Sequence, residues 1–313
     1  MGSFLATPAN SLARLDGKTA VITGANTGIG KVTAKDFYER GARVILACRN
    51  LEKAQEAIDE IKKQCESKEN LGELALSKLD LSSLKSVRAC AEELLKNEKE
   101  INILLNNAGV MMIQELTRTE DGHEMQFGTN HLGHFLFTLL LMPKLIQSTP
   151  VRIVNVSSAA HFLTFSLDLD DLNFENRKYG ALKAYVQSKL SNILFTTELA
   201  NKLKENKIEG INVYCLHPGS INTDLTRHVE GNPFLNISKL FFKTPEEGAQ
   251  TSIYCSTHEK CANETGLYYA ECKPCCSSKT SQNKELAKKL WLISLKMVGL
   301  NEDYDPFKSS TNL

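Results

Sequence analysis

The sequence lacks any run of about eighteen apolar residues, the length a membrane-crossing helix requires. Its most apolar stretch, Leu136 to Leu145, is short and carries Thr138, Pro143 and Lys144. A secretory leader is missing too: Met1 to Arg14 has neither a basic start nor an apolar core, so an intracellular protein is expected. There is no excess of charge, with 37 basic residues against 37 acidic ones, and nucleic acid is therefore not an expected partner. Paired cysteines are missing as well. The nine cysteines are an odd number, and Cys48, Cys90 and Cys215 stand singly in apolar surroundings, which fits a reducing compartment. Cys272, Cys275 and Cys276 cluster, but no second pair at zinc spacing completes a site, and no metal is expected. Asn236 and Asn263 open glycosylation patterns that mean little without a leader. With no internal repeat and no low-complexity linker, the 313 residues read as one domain.

What is present is an alternation. Short runs rich in Val, Ile and Leu, which are Thr19–Thr23, Arg43–Cys48, Leu74–Leu79, Asn102–Asn106, Arg152–Ser157 and Asn212–Leu216, predict strands buried on both faces. Between them, Lys31–Arg40, Leu51–Glu66, Ser83–Asn97, Glu120–Ile146 and Ala181–Asn206 carry helical apolar stripes. Repeated strand–helix alternation with right-handed crossovers predicts an α/β, Rossmann-type, doubly wound parallel sheet with helices on both faces. Such sheets bind ligands where strands end.

After the first strand the chain reads Thr23-Gly24-Ala25-Asn26-Thr27-Gly28-Ile29-Gly30-Lys31, then a helix. Glycines there let the backbone approach a pyrophosphate, and the helix N-terminus favours its charge. The spacing Gly-x-x-x-Gly-x-Gly, with Asn106-Asn107-Ala108-Gly109 after the fourth strand, resembles the short-chain dehydrogenase/reductase family over roughly residues 16 to 270. The resemblance implies a cofactor half at about 16–150 and a catalytic and substrate half at about 151–300. It implies nicotinamide-cofactor contacts at Gly24, Asn26, Thr27, Gly28, Ile29, Gly30, Lys31, Asn107, Ala108 and Gly109, with Asp80 and Leu81 bracketing the adenine. An NAD-selective site ends its second strand on an acid. This one ends Ala47-Cys48-Arg49, and Arg49, aided by Lys31, suits a 2′-phosphate, so NADP(H) is expected.

The family's acid/base pattern, Tyr-x-x-x-Lys, occurs four times: Tyr179/Lys183, Tyr185/Lys189, Tyr269/Lys273 and Tyr304/Lys308. Both groups must share one face of a rigid helix. Tyr304 lies in a polar tail, Tyr269 in a strand-like run, and Tyr179 before Gly180; Tyr185 alone sits inside a long helix. Tyr185 is thus expected as acid/base, with Lys189 lowering its ionisation together with the oxidised nicotinamide and holding the ribose. The resemblance further implies Ser158, rather than Ser157, on the substrate oxygen, and Asn130 in a proton relay behind the lysine. Pro218, Gly219, Ile221 and Thr223, after His217, would hold the nicotinamide carboxamide. His217, His131 and His134 are expected to be structural, with no metal required.

An unusually long insertion, about 161–180, separates Ser158 from Tyr185, and an apolar lid is expected at about 229–243, with Phe234, Leu235, Ile237, Leu240, Phe241 and Phe242. A helical stripe is expected over Glu285–Leu300. Together with Ala47-Cys48-Arg49 and Val156-Ser157-Ser158-Ala159, the insertion resembles the retinol dehydrogenase branch, whose members interconvert retinol and retinal or reduce lipid aldehydes, usually with NADP(H). The implied substrate is a small apolar alcohol or carbonyl. Many members of that branch begin with a membrane-spanning helix. Here the expectation is a cytosolic protein or one peripherally associated with the endoplasmic reticulum, with a peripheral membrane contact and a homodimer left open. Two other readings stand beside this one: a non-catalytic NADP-binding module, and a sugar-nucleotide epimerase, which would need a larger C-terminal domain.

Overall fold

The computed structural model describes residues 13–219 and 243–308. Ile221, Thr223 and nearly all of the expected lid lie outside the described residues. The strands are β1 (Thr19–Thr23), β2 (Arg43–Cys48), β3 (Glu73–Lys78), β4 (Ile103–Asn106), β5 (Val151–Val156), β6 (Ile211–His217), β7 (Leu267–Ala270) and β8 (Lys273–Pro274). They form one sheet in the order β3-β2-β1-β4-β5-β6-β7-β8. Every neighbouring pair is parallel except the last, β7–β8, which is antiparallel. The sheet is thus mixed at one margin. β3, the opposite margin, is only half covered, with Glu73 and Lys78 exposed, because an outer strand has a neighbour on one side only.

The helices are α1 (Gly28–Glu39), α2 (Leu51–Gln64), α3 (Leu84–Asn97), α4 (Met125–Phe127), α5 (Gly133–Gln147), α6 (Ala181–Glu205), α7 (Pro245–Thr257) and α8 (Lys284–Met297). One core packs Val87 of α3, Phe135 of α5, Leu194 of α6 and Trp291 of α8 against the sheet. The other packs Phe37 of α1, Ile58 of α2 and Ile253 of α7 on the opposite face. Caps set several boundaries. Asn50 accepts from Lys53 N at 2.9 Å to start α2, and Thr244 with Glu247 forms a capping box on α7.

One expected helix is broken. Instead of running over 120–146, the chain turns at Gly122, and the Glu124 carboxylate caps α4 by accepting from Gln126 N at 3.0 Å and Phe127 N at 2.7 Å. A π-helical turn, Gly128–Leu132, then precedes α5, with the Gly133 N–H reaching Gly128 O. Wide turns of this kind cluster at functional sites, and this one contains Asn130.

The long insertion is fastened to α6. The Asp171 carboxylate accepts from the backbone N–H of Glu175, Asn176 and Arg177, at 2.6, 3.2 and 3.0 Å. Gln187 of α6 donates to Leu172 O at 2.8 Å and accepts from Arg177 at 2.6 Å. The insertion therefore braces the helix that carries Tyr185.

Candidate active site

β1 is flanked by β2 on one side and β4 on the other, so the strand order reverses there, and a crevice opens at the carboxyl ends. A cavity of about 1000 Å³ fills it. Its lining runs from Gly24, Asn26, Thr27, Gly28, Ile29 and Lys31, through Arg49, Asp80, Leu81, Asn107, Ala108 and Gly109, to Ser158, Tyr185, Lys189, Pro218 and Gly219. Most of the sequence-predicted residues thus converge on one volume. Gly30 and Asn130 are not part of that lining but stand directly behind it.

One end is a cradle without side chains. Gly24 has φ +65°. A Cβ on it would lie 2.9 Å from Ala108 Cβ, and one on Gly30 would lie 2.6 Å from Asn107 Nδ2 and 2.7 Å from Gly24 O. The first turn of α1 carries no acidic residue. Bare backbone at a helix N-terminus with no opposing carboxylate fits a pyrophosphate.

Farther along, Arg49 is 66% exposed and only 3.9 Å from Asp80 Oδ2, so its guanidinium is weakly engaged and open to a ligand. Lys31, expected to add a second positive charge here, has its ammonium paired with Glu60 of α2. Lys53, Glu56 and Glu60 also border this end. The apolar pattern of α2 gave no hint that its outer face would reach the pocket.

At the other end Tyr185 is buried, and Ser158 lines the cavity with it and favours its ionised form. The two serines face apart, as expected for neighbours at a strand end. Ser157 donates to Lys189 O at 2.7 Å and fixes α6, while Ser158 accepts from Ala160 N at 3.1 Å and turns to the tyrosine. Lys189 donates to Val156 O at 3.1 Å, and its ammonium lies 5.8 Å from the Tyr185 ring centroid. Burial pushes Tyr185 up to about 12, only partly offset by Ser158, and pushes Lys189 down to about 8. The protein's own groups therefore favour the neutral phenol, and the expected lowering by Lys189 together with the oxidised nicotinamide concerns the cofactor-bound site.

Asn130 is fully buried. Its Oδ1 accepts from Val110 N at 2.8 Å, and its Nδ2 donates to Val110 O and Ser188 Oγ, each at 2.9 Å. A Cβ on Gly109 would sit 3.2 Å from Asn130 Oδ1 and 3.5 Å from Lys189 Nζ, so both groups border the same bare backbone. The competing tyrosines lie elsewhere. Tyr179 donates to Ile113 O at 2.8 Å, and Tyr269 bonds Glu264 behind the sheet. His131 bonds Ser294 Oγ at 2.9 Å, and His217 lines the pocket with its ionisation pushed down to about 4 by burial.

Between these ends the wall is apolar: Val110, Met111, Met112, Ala159, Ala160 and Leu182. The sequence alone assigned none of these positions to a pocket wall. The rule that ligands meet strand ends would have found the stretch after β4, but Leu182 needed the start of α6 to be known.

The family model for short chain dehydrogenase matches residues 18–168. Retinol dehydrogenase 11 of Mus musculus is 44% identical over 296 residues, covering 93% of this chain and 89% of that protein. Retinol dehydrogenase 13 of Homo sapiens is 44% identical over 298 residues, covering 93% and 87%. Among solved structures, an uncharacterized protein from Mycobacterium paratuberculosis superposes with TM-score 0.76 at 31% identity, covering 96% of this chain and all of that one. The Pseudomonas aeruginosa RhlG/NADP active-site complex superposes with TM-score 0.64 at 26% identity, covering 82% and 94%. Among the described residues no helix is long and apolar enough to cross a membrane. A glycine cradle and a buried tyrosine–lysine pair at the ends of one crevice, in a chain this similar to proteins of one kind, make it an oxidoreductase of the short-chain dehydrogenase/reductase family, in its retinol dehydrogenase-like branch.

Proposed function

We propose that this enzyme uses NADP(H) to interconvert an apolar alcohol and its aldehyde or ketone, with retinol and retinal as the first candidate pair. The observation that carries the reading is the placement of Ser158, Tyr185 and Lys189 at the end of an apolar-walled pocket whose other end is the glycine cradle. When bound, the nicotinamide supplies or accepts the hydride, and its oxidised form adds a positive charge beside the phenol. Gly24, Gly28 and Gly30 admit the pyrophosphate. Arg49 meets the 2′-phosphate, and Asp80 and Leu81 flank the adenine. Lys189 holds the ribose hydroxyls, and Pro218 and Gly219 face the carboxamide end.

In reduction, Ser158 and Tyr185 hydrogen-bond the carbonyl oxygen. As hydride reaches the carbon, Tyr185 passes its proton to that oxygen, and the resulting phenolate is stabilised by Lys189. The proton that restores Tyr185 comes by way of Lys189, which is resupplied from the Asn130 side. Oxidation is the same path reversed, with Tyr185 removing the hydroxyl proton. Val110, Met111, Met112 and Leu182 exclude water from the reacting carbon and favour an extended hydrocarbon. The names of the relatives in the comparison support retinol as the alcohol, and the apolar wall equally accommodates other isoprenoid or lipid-derived carbonyls.

The test is NADPH oxidation by the purified chain over all-trans-retinal, farnesal, medium-chain aldehydes and steroid ketones, with Tyr185→Phe as control. Turnover on retinal or farnesal that vanishes in Tyr185→Phe supports the reading. Cofactor binding without turnover on any carbonyl would leave a binding module instead. For the cofactor, kcat/KM for NADPH should exceed that for NADH, and Arg49→Ala should erase most of the difference. A wild-type preference for NADH overturns the assignment.

A further inference from the structure

His134 is a buried imidazole that the proposed chemistry does not use. It is the second residue of α5, and 2% of its surface is exposed. Its two ring nitrogens bond two different parts of the site, and the polarity of each bond is determined. Nδ1 lies 3.0 Å from Asn130 O. A carbonyl only accepts, so Nδ1 carries the hydrogen. Burial pushes the ring down to about 4, so it is neutral at physiological pH and Nε2 is bare. Nε2 therefore accepts, and its partner at 2.9 Å, Thr23 Oγ1, donates. The lone pairs left on Thr23 Oγ1 take the backbone N–H groups of Asn107 and Ala108, each at 2.9 Å.

The chain of bonds joins three segments. Thr23 ends β1 and leads into Gly24. Asn107 and Ala108 form the turn after β4 and lead to Gly109, which borders both Asn130 Oδ1 and Lys189 Nζ. Asn130 O belongs to the π-helical turn. We propose that His134 is a positioning residue that couples the cofactor cradle to Asn130, with its Nε2 side setting cofactor affinity and its Nδ1 side setting the rate of proton handling. The inference rests on the reading of Asn130 and Lys189 given above.

The two halves can be separated with amides. In His134→Asn the side-chain nitrogen falls near the place of Nδ1, keeping the bond to Asn130 O and losing Thr23. In His134→Gln the amide reaches the place of Nε2, keeping Thr23 and losing Asn130 O. The full chain is measured three ways: NADPH affinity by fluorescence titration, kcat for all-trans-retinal reduction at saturating NADPH, and the melting temperature. His134→Asn should weaken NADPH binding about tenfold and leave kcat within about threefold. His134→Gln should do the reverse. Thr23→Val should repeat the binding defect of His134→Asn, and Thr23→Ser, which restores the hydroxyl, should rescue it.

A residue that only fills space would lower the melting temperature in both His134 variants and move affinity and kcat alike; that result overturns the proposal. So does a Thr23→Val protein with wild-type NADPH affinity, a measurement that holds even where a His134 variant fails to fold. If Tyr185→Phe keeps full activity, the catalytic reading has failed instead, and the affinity arm still decides the Thr23 half.

Discussion

An ammonium group with 3% of its residue's surface exposed is costly, and Lys189 offsets that cost with a bond to Val156 O at 3.1 Å. Burial lowers its ionisation from 10.5 to about 8. Below about 8 the folded protein carries the buried charge and the full penalty. Between about 8 and 10.5 only the unfolded chain binds the proton, and the penalty shrinks as pH rises. Lys189→Met should therefore raise stability at neutral pH by roughly 1–3 kcal/mol, a few degrees in Tm, while kcat falls at least about a hundredfold. A Tm several degrees below wild type would contradict this. The same residue sets a pH dependence. Reduction needs the Tyr185 proton, retained to about 12, and the Lys189 charge, lost through about 8. The kcat for retinal reduction should be flat from mildly acid to neutral pH and fall with one ionisation near 8. A profile that stays flat to about 10 would remove Lys189 from the proton path.

At this scale the sequence was legible where local context chooses. Tyr-x-x-x-Lys occurs four times, and only the Tyr185 copy lies inside a helix and lines the pocket. It was illegible where function depends on distant partners. Thr23 and His134 are 111 positions apart, and no local pattern announces that their side chains meet.

Elements were legible to the extent that their own side chains dictate them. β1 and β2 have the bounds read from their Val, Ile and Leu runs, because central strands must be apolar on both faces. The break between α4 and α5 escaped notice because the apolar stripe continues through it; Asn130 is held there by Val110, from another part of the chain. The glycine cradle permits a sharp comparison of two substitutions. Gly30→Ala would place its methyl 2.6 Å from Asn107 Nδ2, an atom anchored to Thr23 O at 2.8 Å, and 2.7 Å from Gly24 O. Backbone cannot give way cheaply, so a loss of roughly 1–3 kcal/mol in stability and at least about a hundredfold in NADPH affinity is expected. Gly122→Ala meets nothing within 4 Å and carries only the strain of φ +84°. It should cost about 1 kcal/mol and leave NADPH affinity unchanged. Equal affinities for the two variants in a fluorescence titration would show that the cradle is not the cofactor site.

Across the whole molecule, the element farthest along the described chain supports the middle of the site. α8 packs Trp291 edge-on against Phe135, with ring centroids 5.1 Å apart, and beside Phe195 at 5.9 Å. It also receives polar contacts from the broken-helix region: Ser294 Oγ meets His131 Nε2, and Met297 O meets His123 Nε2, each at 2.9 Å. Arg88 of α3 donates to Val298 O just beyond it, at 2.8 Å. Trp291→Ala would empty a site between α5, α6 and α8 and should cost about 3–5 kcal/mol, roughly 10 °C in Tm. The cavity borders the π-helical turn and not the cradle, so NADPH should still bind. Ligand at about a hundred times its Kd returns about 2.7 kcal/mol by mass action. Thermal melts with and without NADPH should therefore show a large drop that the cofactor shifts upward by as much as it shifts wild type. A variant whose Tm no longer responds to NADPH would place the damage in the cradle and refute the separation of the two ends of the crevice.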